Sequence, residues 1–153
     1  MDIDQQRLWD EATAQAYDTP GEGAFSPEVL DPTVATLAAL AEGGRALELA
    51  IGTGRVALPL RERGVDVTGI ELSRAMIARL REKADERTIP VVEGDMTTAR
   101  AGSGFTLAYL VFNTIANLLT QEDQVACFRN AARHLAPGGC LVMPPRPAGE
   151  DLA

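Results

Sequence analysis

Residues Ala46 to Leu60 read ALELAIGTGRVALPL, an apolar run that breaks at Gly52-Thr53-Gly54 and resumes at once. That pattern predicts a strand, a tight turn and a helix. Two glycines let the backbone turn sharply and come close to a ligand. The free N–H groups opening the helix add donors and a partial positive charge. Such a turn suits a nucleotide-like cofactor.

Working outward, Gly43-Gly44 releases the chain into the first strand, Arg45 to Ala50, from a helix with Val34, Leu37, Ala38 and Ala41 as its apolar stripe. Ser26-Pro27 and Asp31-Pro32 each place a proline after a capping residue and read as first turns of helices. Further upstream, residues 4–17 put Leu8, Trp9, Ala12, Ala16 and Tyr17 near one side of another helix, ended by Pro20, Gly21 and Gly23. Downstream of the turn, Pro59 lies near the start of the next helix and Gly64 is placed to cap its end. The second strand, Val65 to Ile70, ends in Glu71, and Ser73 opens a helix carrying Met76, Ile77 and Leu80. Pro90 to Glu93 reads as a third strand leading into Gly94-Asp95-Met96. Phe105 to Phe112 is nearly all apolar, as expected of a parallel strand covered on both faces, and it ends at Asn113. Thr120 caps a helix whose expected buried face is Val125, Phe128, Ala132 and Leu135. His134 near that helix's end suits the dipole better than catalysis. Cys140 to Met143 is the last strand.

Two kinds of cofactor domain use the glycine turn. A dinucleotide domain needs G-x-G-x-x-G/A and, about 20 residues on, an acid for the ribose, which Gly52, Gly54, Ala57 and Glu71 supply. The stretch Glu48-Leu49-Ala50-Ile51-Gly52-Thr53-Gly54 also resembles the first motif of the class I S-adenosylmethionine-dependent methyltransferases, with Ala50 where that family usually has its first glycine. Gly69-Ile70-Glu71 and Gly94-Asp95-Met96 resemble the family's second and third cofactor motifs. Tyr17-Asp18 resembles the pair that closes a helix over the cofactor, and His134 to Gly139 resembles the turn before the fifth strand. A nicotinamide enzyme does not require the acid at Asp95, so the tripeptide decides between the two.

The resemblance implies an α/β fold: a doubly wound, mainly parallel, Rossmann-like sheet of five strands in the order three, two, one, four, five. It implies S-adenosylmethionine as cofactor and methyl transfer to a small molecule. The cofactor-binding residues it implies are Glu48, Ala50, Gly52, Thr53, Gly54 and Arg55 at the turn, and Glu71, Leu72 and Met76 beyond the second strand. Asp95 and Met96 follow the third strand, Phe112 and Asn113 the fourth, and Tyr17 comes from the N-terminal helix. In the family Glu71 would bind both ribose hydroxyls, Asp95 the adenine amine and Met96 the face of the ring. Asn113 and Thr114 would face the transferred methyl group. No catalytic base is indicated.

Composition narrows the classes. With 153 residues, 46% of them hydrophobic, one core and one domain are expected. Residues 1–143 form that domain, with residues 1–42 as a helical cap, and the proline-rich stretch 144–153 reads as a loose tail. A net charge of -8 argues against a nucleic-acid partner. No apolar run approaches the roughly 20 residues that span a bilayer, and the acidic start MDIDQQRLWDE points to a cytoplasmic protein with no membrane partner. Cys127 and Cys140 are isolated thiols, expected reduced and buried, with no metal site. The family continues its sheet past the fifth strand, so a truncated member is expected, with the edge of strand five pairing in a homodimer. The alternatives are a cofactor-binding protein without activity, a dinucleotide-binding oxidoreductase, and a structural fragment.

Overall fold

The computed structural model describes residues 27–111 and 118–143. The expected N-terminal helix and the C-terminal tail lie outside these residues. In chain order the elements are α1 (Pro27–Ala41), β1 (Arg45–Leu49), α2 (Ala57–Glu62), β2 (Asp66–Glu71), α3 (Arg74–Arg81), β3 (Val91–Glu93), β4 (Phe105–Tyr109), α4 (Gln121–His134) and β5 (Leu135–Val142). Every pairing is parallel and the strand order is β3-β2-β1-β4-β5. This is the doubly wound α/β sheet the sequence leads one to expect.

A parallel sheet has to be covered on both faces, and side chains alternate between them along each strand. Val34 and Leu37 of α1, Leu60 of α2 and Leu80 of α3 pack on one face with Ala46, Val67, Leu107 and Tyr109. Cys127 and Ala131 of α4 pack on the other with Leu47, Leu49, Ile70, Phe105, Ala108 and the turn residue Met96. Glu48 stands on the first face, opposite Gly69 of β2 and Tyr109 of β4. A β-carbon on Gly69 would lie 2.6 Å from Ile51 Cδ1, because Ile51 folds back over that position.

Four local expectations change. Pro27 and Pro32 do not start separate helices; α1 runs through Pro32. The Glu28 carbonyl there loses its in-helix donor, a loss outweighed by burying Val34, Leu37 and Ala41. Strand β4 stops at Tyr109, short of Phe112, although Leu110 still donates its N–H to the Val142 carbonyl at 3.0 Å. Strand β5 begins at Leu135, ahead of Cys140, because Leu135 pairs with Phe105 and Cys140 with Leu107, leaving residues 136–139 against Thr106 alone. The buried face of α4 is Cys127, Asn130, Ala131 and His134, while Val125 is 39% exposed and Ala132 is exposed. Tertiary contact overrode an apolar periodicity that the polar Asn130 and His134 obscure.

The turn after β1 begins with Ala50 at φ 57, in the left-handed region that favours glycine. An L residue there carries about 1–2 kcal/mol of strain. Glycine removes that strain but orders at a cost of about 0.5–1 kcal/mol relative to alanine. Ala50→Gly should therefore stabilise the protein by about 0.5–1 kcal/mol. A thermal melt should show a midpoint higher by about 1–4 °C, and a lower midpoint would show that the methyl's packing outweighs the strain.

Candidate functional site

The strand order reverses at β1, which lies between β2 and β4, and the segments leaving the carboxyl ends of the strands meet there. Ligands of open α/β sheets bind in such a crevice. Gly52 has φ 61 and Gly54 has φ 85. A β-carbon on Gly52 would meet nothing within 4 Å, so this glycine faces open space, whereas one on Gly54 would strike Leu80 Cδ1 at 2.4 Å. One glycine serves approach and the other serves helix packing. Ile51 extends the β-ladder through its N–H to the Ile70 carbonyl, and Lys83 Nζ donates to the Thr53 carbonyl at 3.3 Å.

Glu71 ties this turn to the next one. Its Oε1 accepts from Gly52 N–H at 2.8 Å and its Oε2 from Ser73 N–H at 2.9 Å. Ser73 in turn caps α3, its Oγ accepting from Met76 N–H at 3.2 Å. Burial raises the Glu71 pKa, and the N–H groups of Ser73, Gly52 and Leu72 pull it back only in part. A carboxylate has about four acceptor positions, so these N–H groups do not exhaust it. Thr53 and Met76 are buried, and Arg55 and Leu72 are half-buried around the same turn.

A second acid stands behind it. Burial holds the Glu48 carboxyl well above its ordinary range, the neighbouring Tyr109 phenol lowers it somewhat, and the Glu71 charge raises it. Burial, and then Glu48, push the Tyr109 phenol well above its own ordinary value. The two groups are close enough to influence each other but fall outside hydrogen-bond geometry, leaving Glu48 Oε1 and the Tyr109 hydroxyl without partners.

The segment after β3 is held from two sides. Gly94 N–H donates to the Glu71 carbonyl at 2.9 Å. Asp95 Oδ1 accepts from Thr97 N–H at 2.8 Å and from Thr97 Oγ1 at 2.7 Å, closing a tight turn. Met96 is buried in the core, under the turn. From α4, Asn130 Nδ2 donates to the Met96 carbonyl at 3.0 Å and to the Ala99 carbonyl at 2.8 Å. His134 Nε2 accepts from Ala101 N–H at 2.9 Å, and its Nδ1 donates to the Asn130 carbonyl at 2.7 Å. An N–H can only donate, so Nε2 is the acceptor in this pair. His134 thus does more than the helix-end role expected of it, since it also reaches the segment after β3. The sequence reading missed both residues as parts of the site; a polar pair one turn apart on an otherwise apolar face was the available signal.

Of the expected site residues, Glu48, Ala50, Gly52, Thr53, Gly54, Arg55, Glu71, Leu72, Met76, Asp95 and Met96 come together at the carboxyl end of the sheet. Tyr17, Phe112 and Asn113 lie outside the described residues. Among the described residues, no group of three or more His, Cys, Asp or Glu could hold a metal, and no helix is long and apolar enough to cross a membrane. Both cysteines are free, Cys127 buried and Cys140 half-buried. Burial and then the Asp95 charge push the Cys127 thiol up to about 11.

Residues 46–139, more than half the chain, match the family described as a methyltransferase domain. The chain belongs to the class I S-adenosylmethionine-dependent methyltransferases. This methyltransferase chain is 31% identical over 141 residues to the cypemycin N-terminal methyltransferase of a Streptomyces species, covering 89% of itself and 55% of that relative. It superposes on the CcbJ methyltransferase of Streptomyces caelestis with a TM-score of 0.76 and 36% identity, over 85% of this chain and 54% of that one. CalS10, an amino pentose methyltransferase from Micromonospora echinaspora solved with S-adenosylmethionine bound, gives a TM-score of 0.67 at 26% identity, over 87% and 54% of the two chains. The methyltransferase chain thus spans about half the length of these relatives.

The raised acids give this chain a pH signature. Above the ordinary value of 4.5 and below its raised value, folded Glu48 keeps a proton that the unfolded chain has released. Stability therefore falls as pH rises through that window. Glu48→Gln should flatten the fall and leave the variant more stable than the parent at about pH 7, while Glu71 retains a weaker slope of the same sign. Urea midpoints taken from about pH 5 to pH 8 check this; parallel profiles for parent and variant would contradict it.

Proposed function

We propose that this protein transfers a methyl group from S-adenosylmethionine to a small-molecule acceptor. The observation that carries the reading is the Glu71 carboxylate, held by Gly52 and Ser73 N–H groups at the end of β2 and directed beside an open glycine turn. Its remaining lone pairs suit the paired ribose hydroxyls, and a cofactor can lie against Gly52 where no side chain intrudes. Glu48, which burial keeps protonated behind the turn in the free site, ionises more readily beside a positive ligand, and its charge then favours the ammonium and sulfonium groups of the cofactor. Asp95 suits the adenine amine, with Met96 supporting the turn from below. Tyr17, Phe112 and Asn113 complete the cofactor site in this reading, and Arg55, Leu72 and Met76 line its approach.

The cofactor supplies a methyl group already activated on a sulfonium, so the chain's residues have only to align the acceptor, exclude water and adapt to the loss of positive charge. The S-adenosylmethionine bound in the CalS10 structure, and the names of the cypemycin and amino pentose enzymes, support both the cofactor and a small acceptor. Among the described residues β5 pairs with β4 alone, so its outer edge is open to another strand. We propose a second copy there, to be seen as a dimer by light scattering at micromolar concentration; a monomer under those conditions would count against it.

The cofactor reading is tested by ligand-dependent melting. At about one hundred times its Kd, S-adenosylhomocysteine should add about 2.7 kcal/mol of stability, or about 5–10 °C, and NAD should add none. Glu71→Ala should weaken S-adenosylhomocysteine binding by about 1.5–3 kcal/mol and lower the stability of the free protein, since two N–H groups lose a charged acceptor. Stabilisation by NAD alone would overturn the proposal.

A further inference from the structure

In a doubly wound sheet the crossover between parallel strands ordinarily contains a helix, but residues 94–104 between β3 and β4 form turns instead. A turn without a helical ladder must find partners elsewhere for its peptide groups. Here those partners are two side chains of α4, Asn130 and His134, both 0% exposed and one helical turn apart. They satisfy the Met96 and Ala99 carbonyls and the Ala101 N–H, groups 31 to 34 residues away in the chain.

The geometry is restrictive. Only the Nδ2 end of Asn130 can face two carbonyl oxygens, and its Oδ1 is left without a partner. Only an unprotonated Nε2 can accept from Ala101, and the His134 Nδ1 proton is spent on the Asn130 carbonyl, which locks the ring's tautomer. The held span begins beside the Glu71 carbonyl, through Gly94, and includes Asp95, whose Oδ1 shapes the turn by accepting from Thr97 N–H and Oγ1. Met96, the residue after Asp95, packs in the same core cluster as Cys127, a turn earlier on α4.

We propose that Asn130 and His134 are positioning residues that fix the Asp95–Ala101 turn, and through it the recognition of the adenine amine. The inference rests on the S-adenosylmethionine reading of the site. Neither residue touches the cofactor; they act through Asp95. Buried polar networks of this kind define one backbone arrangement, because any displacement leaves carbonyls and an N–H without partners.

The test is base discrimination by the full chain, measured calorimetrically with S-adenosylhomocysteine and with S-inosylhomocysteine, in which an oxygen replaces the adenine amine. The parent should prefer the adenine compound by about tenfold or more, the worth of one well-placed hydrogen bond. Asn130→Ala and His134→Asn should reduce that preference to about threefold or less, since the first loses both donors and the second cannot reach Ala101. His134→Gln, which can place an acceptor near the Nε2 position, should retain the preference. Ala101→Pro removes the same hydrogen bond from the loop side without touching α4, and should behave like His134→Asn even if the helix variants fail to fold. Val34→Ala, a core change on the opposite face of the sheet, should lower the melting temperature and leave the preference unchanged. Full discrimination in folded Asn130→Ala or Ala101→Pro would overturn the inference. Equal affinity of the parent for both compounds would overturn it while leaving the cofactor reading in place, and no binding of either would overturn both.

Discussion

The carboxylate of Glu71 is the constraint around which the carboxyl end of the sheet is built. One oxygen holds the glycine turn that follows β1, and the other holds the residue that caps α3. Two connections belonging to different βα units are thereby set relative to each other by a single buried charge. Without an acceptor at that position the Gly52 and Ser73 N–H groups would lose their partner, which for the buried Ser73 group costs about 1–3 kcal/mol. The acid therefore has a task in the free protein before any ligand arrives. Its raised pKa measures how much burial opposes that task.

On the opposite face, α4 plays the corresponding part for the segment after β3. Glu71 also receives Gly94 through its backbone carbonyl, so the glycine turn, the α3 cap and the Asp95 turn all converge on one residue, while Asn130 and His134 hold the far end of the last of these. Polar clamps do here what an additional helix would do elsewhere. A helix would satisfy the crossover internally; side chains from α4 satisfy it while leaving Asp95 near the open end of the sheet.

Much of this was legible in the sequence because it is local. Gly52 and Gly54, the apolar runs of β1 and β2, Ser73 as a cap and Glu71 at a strand end are each decided within a few residues, and the strand order followed from the resemblance they carry together. What escaped was decided at a distance. Asn130 was not singled out and His134 was read only as a helix-end residue, on a helix whose apolar positions suggested Val125 and Phe128 as the buried face, because their partners lie more than thirty residues earlier. Ala50 was recognisable as a departure from glycine, but its left-handed backbone is imposed by the ladder bond from Ile51 to Ile70 and by the turn that follows. The early end of β4 likewise depends on its neighbours.

The two buried acids give the site its remaining logic. Glu48 and Glu71 lie on one face of the sheet, and each is held above the usual carboxylate range chiefly by burial, with Glu71 adding to the shift at Glu48. Such a pair is unfavourable in an empty pocket, and the cost is greatest when both are ionised. A ligand bearing positive charge reverses the sign of that term: it lowers both pKa values, favours the fully ionised pair and releases whatever proton the pocket had retained. A neutral or anionic ligand would do the opposite. The same burial that makes the free site electrostatically strained thus favours a cationic occupant, and on the S-adenosylmethionine reading it disfavours the product, which has lost its sulfonium charge. Methyl transfer would then weaken the protein's hold on the spent cofactor, with no moving part required beyond the change of charge itself.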